Sequence, residues 1–162
     1  MPKVEIRELP SQVMWSLRQS RAIANAETLA AAFGSIGRHA PAKPNALTGT
    51  VESGCGWLEP HAWLVNGTIA ATNVPAGLLL TEISDRVAAL HVSGEGAMDV
   101  IAAGCDPTLV ATGAMARTRF GGIANVVIQR WWENDYRLLV DVSLAQPMLG
   151  WLELAATGLS GQ

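Results

Sequence analysis

The chain has 162 residues, a net charge of -3, 49% hydrophobic residues and 15% charged ones. A charged fraction well below the roughly 25% of ordinary soluble domains, with no basic run, excludes the clustered positive field that nucleic-acid binding requires. Apolar runs of only a few residues exclude a membrane span, and two cysteines do not make a secreted disulfide framework.

The length fits one domain spanning residues 1–162. A charged start, Met1-Pro2-Lys3-Val4-Glu5, has no apolar signal core, so the cytoplasm is the expected location. Six Trp against one Tyr and two Phe point to a surface that meets a partner, because Trp is enriched at contacts.

In chain order, residues 4–17 contain an extended segment, apolar from Val13 to Leu17. Arg21 to Phe33 is helical in pattern, with Ile23, Ala26, Leu29, Ala30 and Phe33 on one stripe, and Gly34 and Gly37 end it. The two prolines after Arg38 read as an irregular connector. Two short strands, Gly54–Leu58 and Ala62–Val65, flank Glu59-Pro60-His61, and Asn66-Gly67 signals a turn. Pro75 and Gly77 argue against a full helix over residues 68–77.

Leu78 to Val92 reads as one long strand bent near Ser84-Asp85, with Ala88, Leu90 and Val92 on one face. A helix over Ala97–Ala103 follows, with Asp99 in its first turn, Gly104 just past its end and Pro107 blocking continuation. Ile123–Trp132 and Tyr136–Val142 form a hairpin around Glu133-Asn134-Asp135. Its first strand alternates Ala124, Val126, Ile128 and Trp132 with Asn125 and Gln129, predicting one buried and one wetter face. The last helix spans Leu144–Ala156, with Ser143 and Gln146 at capping-box spacing, Pro147 in the first turn and a core stripe of Leu149, Leu152 and Ala156. Hairpins of strands followed by helices give an α+β class: antiparallel sheets with helices on one face, in two related strand–helix units.

No catalytic set stands out. Gly94-Glu95-Gly96 sits between strand and helix, but Asp99 stands where a dinucleotide motif needs its third glycine, and two carboxylates would repel a pyrophosphate. Cys55 with His61, or Cys105 with His91, lacks ligand spacing; core packing is the expectation for both cysteines. Arg86, Arg117, Arg119 and Arg130 are scattered and read as solvated. The candidate contact residues are aromatic: Trp57, His61 and Trp63 in one cluster, which reads either as a contact or ligand-stacking surface or as one loop with a Trp anchored in the core, and Trp131-Trp132, which point to opposite faces of a strand so that one is core and the other a contact.

In order along the chain, Val4-Glu5-Ile6-Arg7-Glu8-Leu9-Pro10, Leu58-Glu59-Pro60-His61-Ala62-Trp63-Leu64-Val65, Ile83-Ser84-Asp85-Arg86, Val92-Ser93-Gly94, Val100-Ile101-Ala102-Ala103-Gly104-Cys105, Ala116-Arg117-Thr118-Arg119-Phe120-Gly121, Tyr136-Arg137-Leu138-Leu139-Val140 and Trp151-Leu152 resemble the gamma subunit family of heterotetrameric sarcosine oxidase. The likeness spans roughly residues 3–156 and departs where His61-Ala62 and Val142 stand. It is also distantly similar to the folate-binding fold of the glycine-cleavage T-protein (aminomethyltransferase). The resemblance implies a non-catalytic gamma subunit that stabilises an assembly oxidising sarcosine or a related secondary amine. It implies alpha, beta and delta partner subunits, with FAD, FMN, NAD, tetrahydrofolate and zinc held in those partners. The competing expectations are an autonomous folate or small-molecule binder of the same fold and a homo-oligomer.

Overall fold

The structure, a computed structural model, describes residues 3–20 and 25–159. In chain order the elements are β1 (Glu5–Glu8), β2 (Met14–Gln19), α1 (Ala26–Ser35), β3 (Leu47–Thr48), β4 (Cys55–Glu59), β5 (Ala62–Asn66), β6 (Leu78–Glu82), β7 (Val87–Ser93), α2 (Ala97–Gly104), β8 (Ala114–Phe120), β9 (Ile123–Trp132), β10 (Asp135–Asp141) and α3 (Ala145–Leu159). Short 3-10 turns cover Pro107–Leu109 and Val142–Leu144. Both sheets are antiparallel throughout, so the α+β class holds. The chain divides into two compact units, one from the residues up to Ser11 and from Asp85 on, the other from Gln12–Ser84.

The first unit carries the sheet β1-β7-β10-β9-β8. Alternation on β7 puts Ala88, Leu90 and Val92 on its core face, as expected. They meet Tyr136, Leu138 and Val140 of β10 and Val126 and Ile128 of β9. Ala97, Val100 and Ile101 of α2 and Met148 and Leu152 of α3 cover that face. Gly94 at φ +105 makes the tight turn into α2, and a Cβ there would strike the Lys3 carbonyl. The phosphate space of a dinucleotide site is therefore filled by backbone, and the first residue of α2, Ala97, is fully buried.

The second unit carries the sheet β3-β4-β5-β2-β6. All five residues of β5 are buried. Leu17, Cys55, Trp63 and Val65 form its core with Phe33 and Ile36. Phe33 stands edge-on to Trp63 at 5.8 Å between centroids.

Several expectations change. The helix expected from Arg21 begins, among the described residues, at Ala26. Asn25 caps it, its Oδ1 accepting the Thr28 N–H at 2.7 Å. Residues 21–24, including Ile23, lie outside the described residues. Ala32, Phe33 and Ile36 are buried and Leu29 is partly buried against them; Ala26 and Ala30 are exposed, and Gly34 lies inside the helix. The extended segment over residues 4–17 is two strands, β1 and β2, in different sheets. Leu78–Val92 is likewise two strands, β6 and β7, in different sheets. The break falls at Ser84, whose Oγ accepts the Met14 N–H at 3.0 Å and gives up strand geometry to do so. Gly104 is the last residue of α2, not the one beyond it.

The capping box of Ser143 and Gln146 is replaced. Asp141 Oδ1 accepts the Ser143 N–H at 2.9 Å, and Gln146 Nε2 donates to Glu8 Oε2. A carboxylate is the better acceptor at that position, which frees the glutamine. Gln129 was expected on the wetter face of β9, yet it is 1% exposed. Among the described residues no helix is long and apolar enough to cross a membrane.

Candidate functional site

Trp57, His61 and Trp63 come together in the second unit. Trp57 pairs with Trp63 across β4 and β5, their rings 5.8 Å apart and tilted by 36°. A register shift between Trp57 and Glu59 lets Trp57 Nε1 donate to the Glu59 carbonyl at 3.0 Å, which locks the indole along its own strand. The Pro60-His61 turn that follows puts His61 at φ +63. That left-handed conformation is uncommon outside glycine and turns the imidazole out of the strand, where it is exposed. His61 Nδ1 lies 3.5 Å from Gln19 Oε1 of β2.

These side chains line a cleft of about 440 Å³, with Leu29 and Pro60 completing its apolar walls. Trp63 is 2% exposed and forms the floor; Trp57 is half-buried at the side; His61 stands at the rim. Among the described residues the lining includes no carboxylate and no thiol. Chemically the cleft can clasp a flat or apolar group and offer it one imidazole and the side-chain amides of Gln19 and Asn25 as hydrogen-bond partners. Gln19, Asn25, Ala26, Leu29 and Pro60 were missed by sequence reasoning. Only the strand pairing of β2 with β5 brings Gln19 to His61, whereas Pro60 could have been found as the neighbour of His61.

Trp131 and Trp132 lie in the first unit at the end of β9. Arg137 pairs with Gln129, and Asp135 pairs with Trp132, so β9 holds one more residue than β10 in this interval. The expected division into one buried and one exposed indole holds, although the bulge interrupts the strict alternation on which it was argued. Trp132 sits opposite Asp135 and is 55% exposed. Trp131 is buried, its Nε1 donating to Gln129 Oε1 at 3.2 Å. Arg130 lies over the Tyr136 ring, 5.1 Å from its centroid, and Nη1 donates to the Val110 carbonyl. Burial pushes the Tyr136 phenol above its ordinary pKa.

The pairing of β7 with β10 also creates a contact that sequence spacing did not reveal. His91 Nε2 is 2.8 Å from Asp135 Oδ2 on the diagonal between the strands. This is half of a relay. His91 Nδ1 is buried without a hydrogen-bond partner among the described residues, so no nucleophile is joined to it.

Cys55 Sγ donates to the His39 carbonyl at 3.1 Å and touches Thr48 Oγ1, while His61 turns to Gln19. Cys105 packs at the margin of the α2–α3 core. Burial raises both thiols above the ordinary range. Among the described residues no group of three or more His, Cys, Asp or Glu side chains converges.

By sequence the chain matches no protein-family model and no curated protein. By structure it matches a chain of the heterotetrameric sarcosine oxidase from Corynebacterium sp. U-96 in complex with pyrrole 2-carboxylate. The identity is 23%, the match covers 97% of this chain and 85% of that one, and the TM-score is 0.78. At that identity the likeness establishes the fold: two antiparallel sheets with helices, shared over almost the whole length with one chain of that enzyme.

Proposed function

We propose that the chain is a non-catalytic, gamma-type subunit of a heterotetrameric sarcosine oxidase-like flavoenzyme complex, in which it stabilises the assembly. The observation that carries this reading is the fold likeness over 97% of the chain to a subunit of such a complex, with the two chains of similar length. The low charge and the exposed Trp132 suit a surface made to be covered. The aromatic cleft offers contact and no reactive pair. The partners are alpha, beta and delta subunits. Oxidation of sarcosine or a related secondary amine, together with FAD, FMN, NAD, tetrahydrofolate and zinc, belongs to those chains. The candidate contacts are Trp57, His61 and Trp132, with Trp63 and Trp131 as the buried supports beneath them. The fold is a reduced form of the T-protein folate-binding fold, the chain acts as one domain, and the complex is cytoplasmic.

Purification of the tagged full chain at native levels from its own cells tests this. The expected result is a yellow complex that oxidises sarcosine or another secondary amine, and a chain that is colourless and inactive once stripped of companions. Recovery of the chain alone, or of a single-chain preparation that binds flavin and turns over, overturns it.

The cleft supports a second reading, because two tilted indoles beside an imidazole fit a flat heteroaromatic ligand. In that reading the chain binds folate by itself. Calorimetry of the isolated chain with tetrahydrofolate separates the two: heat that vanishes in Trp57→Ala supports a folate site, and no heat removes it.

A further inference from the structure

We draw no further inference here: the strongest candidate, the outward face of α3, where Leu154 is 72% exposed between Gly150 and Gly158 and a Cβ added to either glycine would meet nothing within 4 Å, carries nothing because nothing among the described residues shows what covers it.

Discussion

Arg38 carries the carbonyl of Asn66 on its guanidinium: Nη2 donates to that oxygen at 2.6 Å and to the Thr68 carbonyl at 2.8 Å, while Nη1 donates to the Gly37 carbonyl at 3.2 Å. The side chain is only 8% exposed. It ties the end of β5 to the connector after α1. Planar, forked donors suit several carbonyls at once, which an ammonium does not. Arg38→Ala leaves those buried acceptors without their donor and is expected to cost about 2–4 kcal/mol in chemical denaturation. Arg38→Lys should recover less than half of the loss. An alanine variant as stable as the wild type would show that water replaces the guanidinium.

Gly104 closes α2 against Phe120. A Cβ at Gly104 would overlap the Phe120 ring, which is fully buried and edge-on to Trp151 at 5.1 Å. The ring has nowhere to retreat, so Gly104→Ala is expected to destabilise by about 1–3 kcal/mol despite the higher helix propensity of alanine. Thermal melting reads it. A rise in melting temperature would mean that propensity outweighs the clash.

Asp141 makes part of the stability depend on acid. Its Oδ1 accepts from the Ser143 hydroxyl at 2.6 Å and from the Ser143 N–H at 2.9 Å. The hydroxyl bond first, then the N–H bond, holds the carboxyl below the usual carboxylate range. A folded value below the unfolded one stabilises the fold above the unfolded value, near 3.8, and the contribution fades as pH falls through the folded value. Asp141→Asn keeps a capping acceptor without the charge. The two proteins should melt close together in strong acid and separate above roughly pH 5, the wild type higher. A gap independent of pH would remove Asp141 from the acid response.

The two thiols differ in access. Cys55 is 1% exposed with Sγ engaged, whereas Cys105 is half-buried, and burial raises both. Thiolate is the reactive form, so neither should alkylate fast at neutral pH. Mass spectrometry after timed iodoacetamide is expected to find Cys105 modified first and Cys55 only on unfolding. Early modification of Cys55 would mean that β4 opens locally.

The parts legible in the sequence were those with a local cause. The β9–β10 turn was marked by Asn134, which takes φ +55 there, and the end of α2 by Gly104 and Pro107. The core face of β7 followed from alternation alone. What stayed hidden depends on pairing partners far away in the chain. No pattern within residues 78–92 says that β6 and β7 serve different sheets, because both halves are good strand sequences. The bulge that turns Trp132 opposite Asp135 is visible only from the register with β10. The Trp57–His61–Trp63 cluster was legible as three neighbours in sequence, but its opposite wall comes from α1 and β2.

Trp63 and Trp132 separate the two roles that tryptophan plays here. Trp63 is 2% exposed, packed on Phe33 and Trp57, and its neighbours cannot close over the space it fills. Trp63→Ala is therefore expected to cost about 3–5 kcal/mol. Trp132 is 55% exposed, and Trp132→Ala is expected to change stability by no more than about 0.5 kcal/mol. Its effect should appear instead in assembly, because an exposed indole contributes most where a partner desolvates it. Denaturation midpoints of the isolated variants and recovery of the complex in a pull-down are the paired readouts. The expected pattern is a stable Trp132→Ala chain that recovers less complex, and a destabilised Trp63→Ala chain. A Trp132→Ala chain that assembles as fully as the wild type would take this residue out of the contact surface and leave the cleft at His61 as its remaining aromatic candidate.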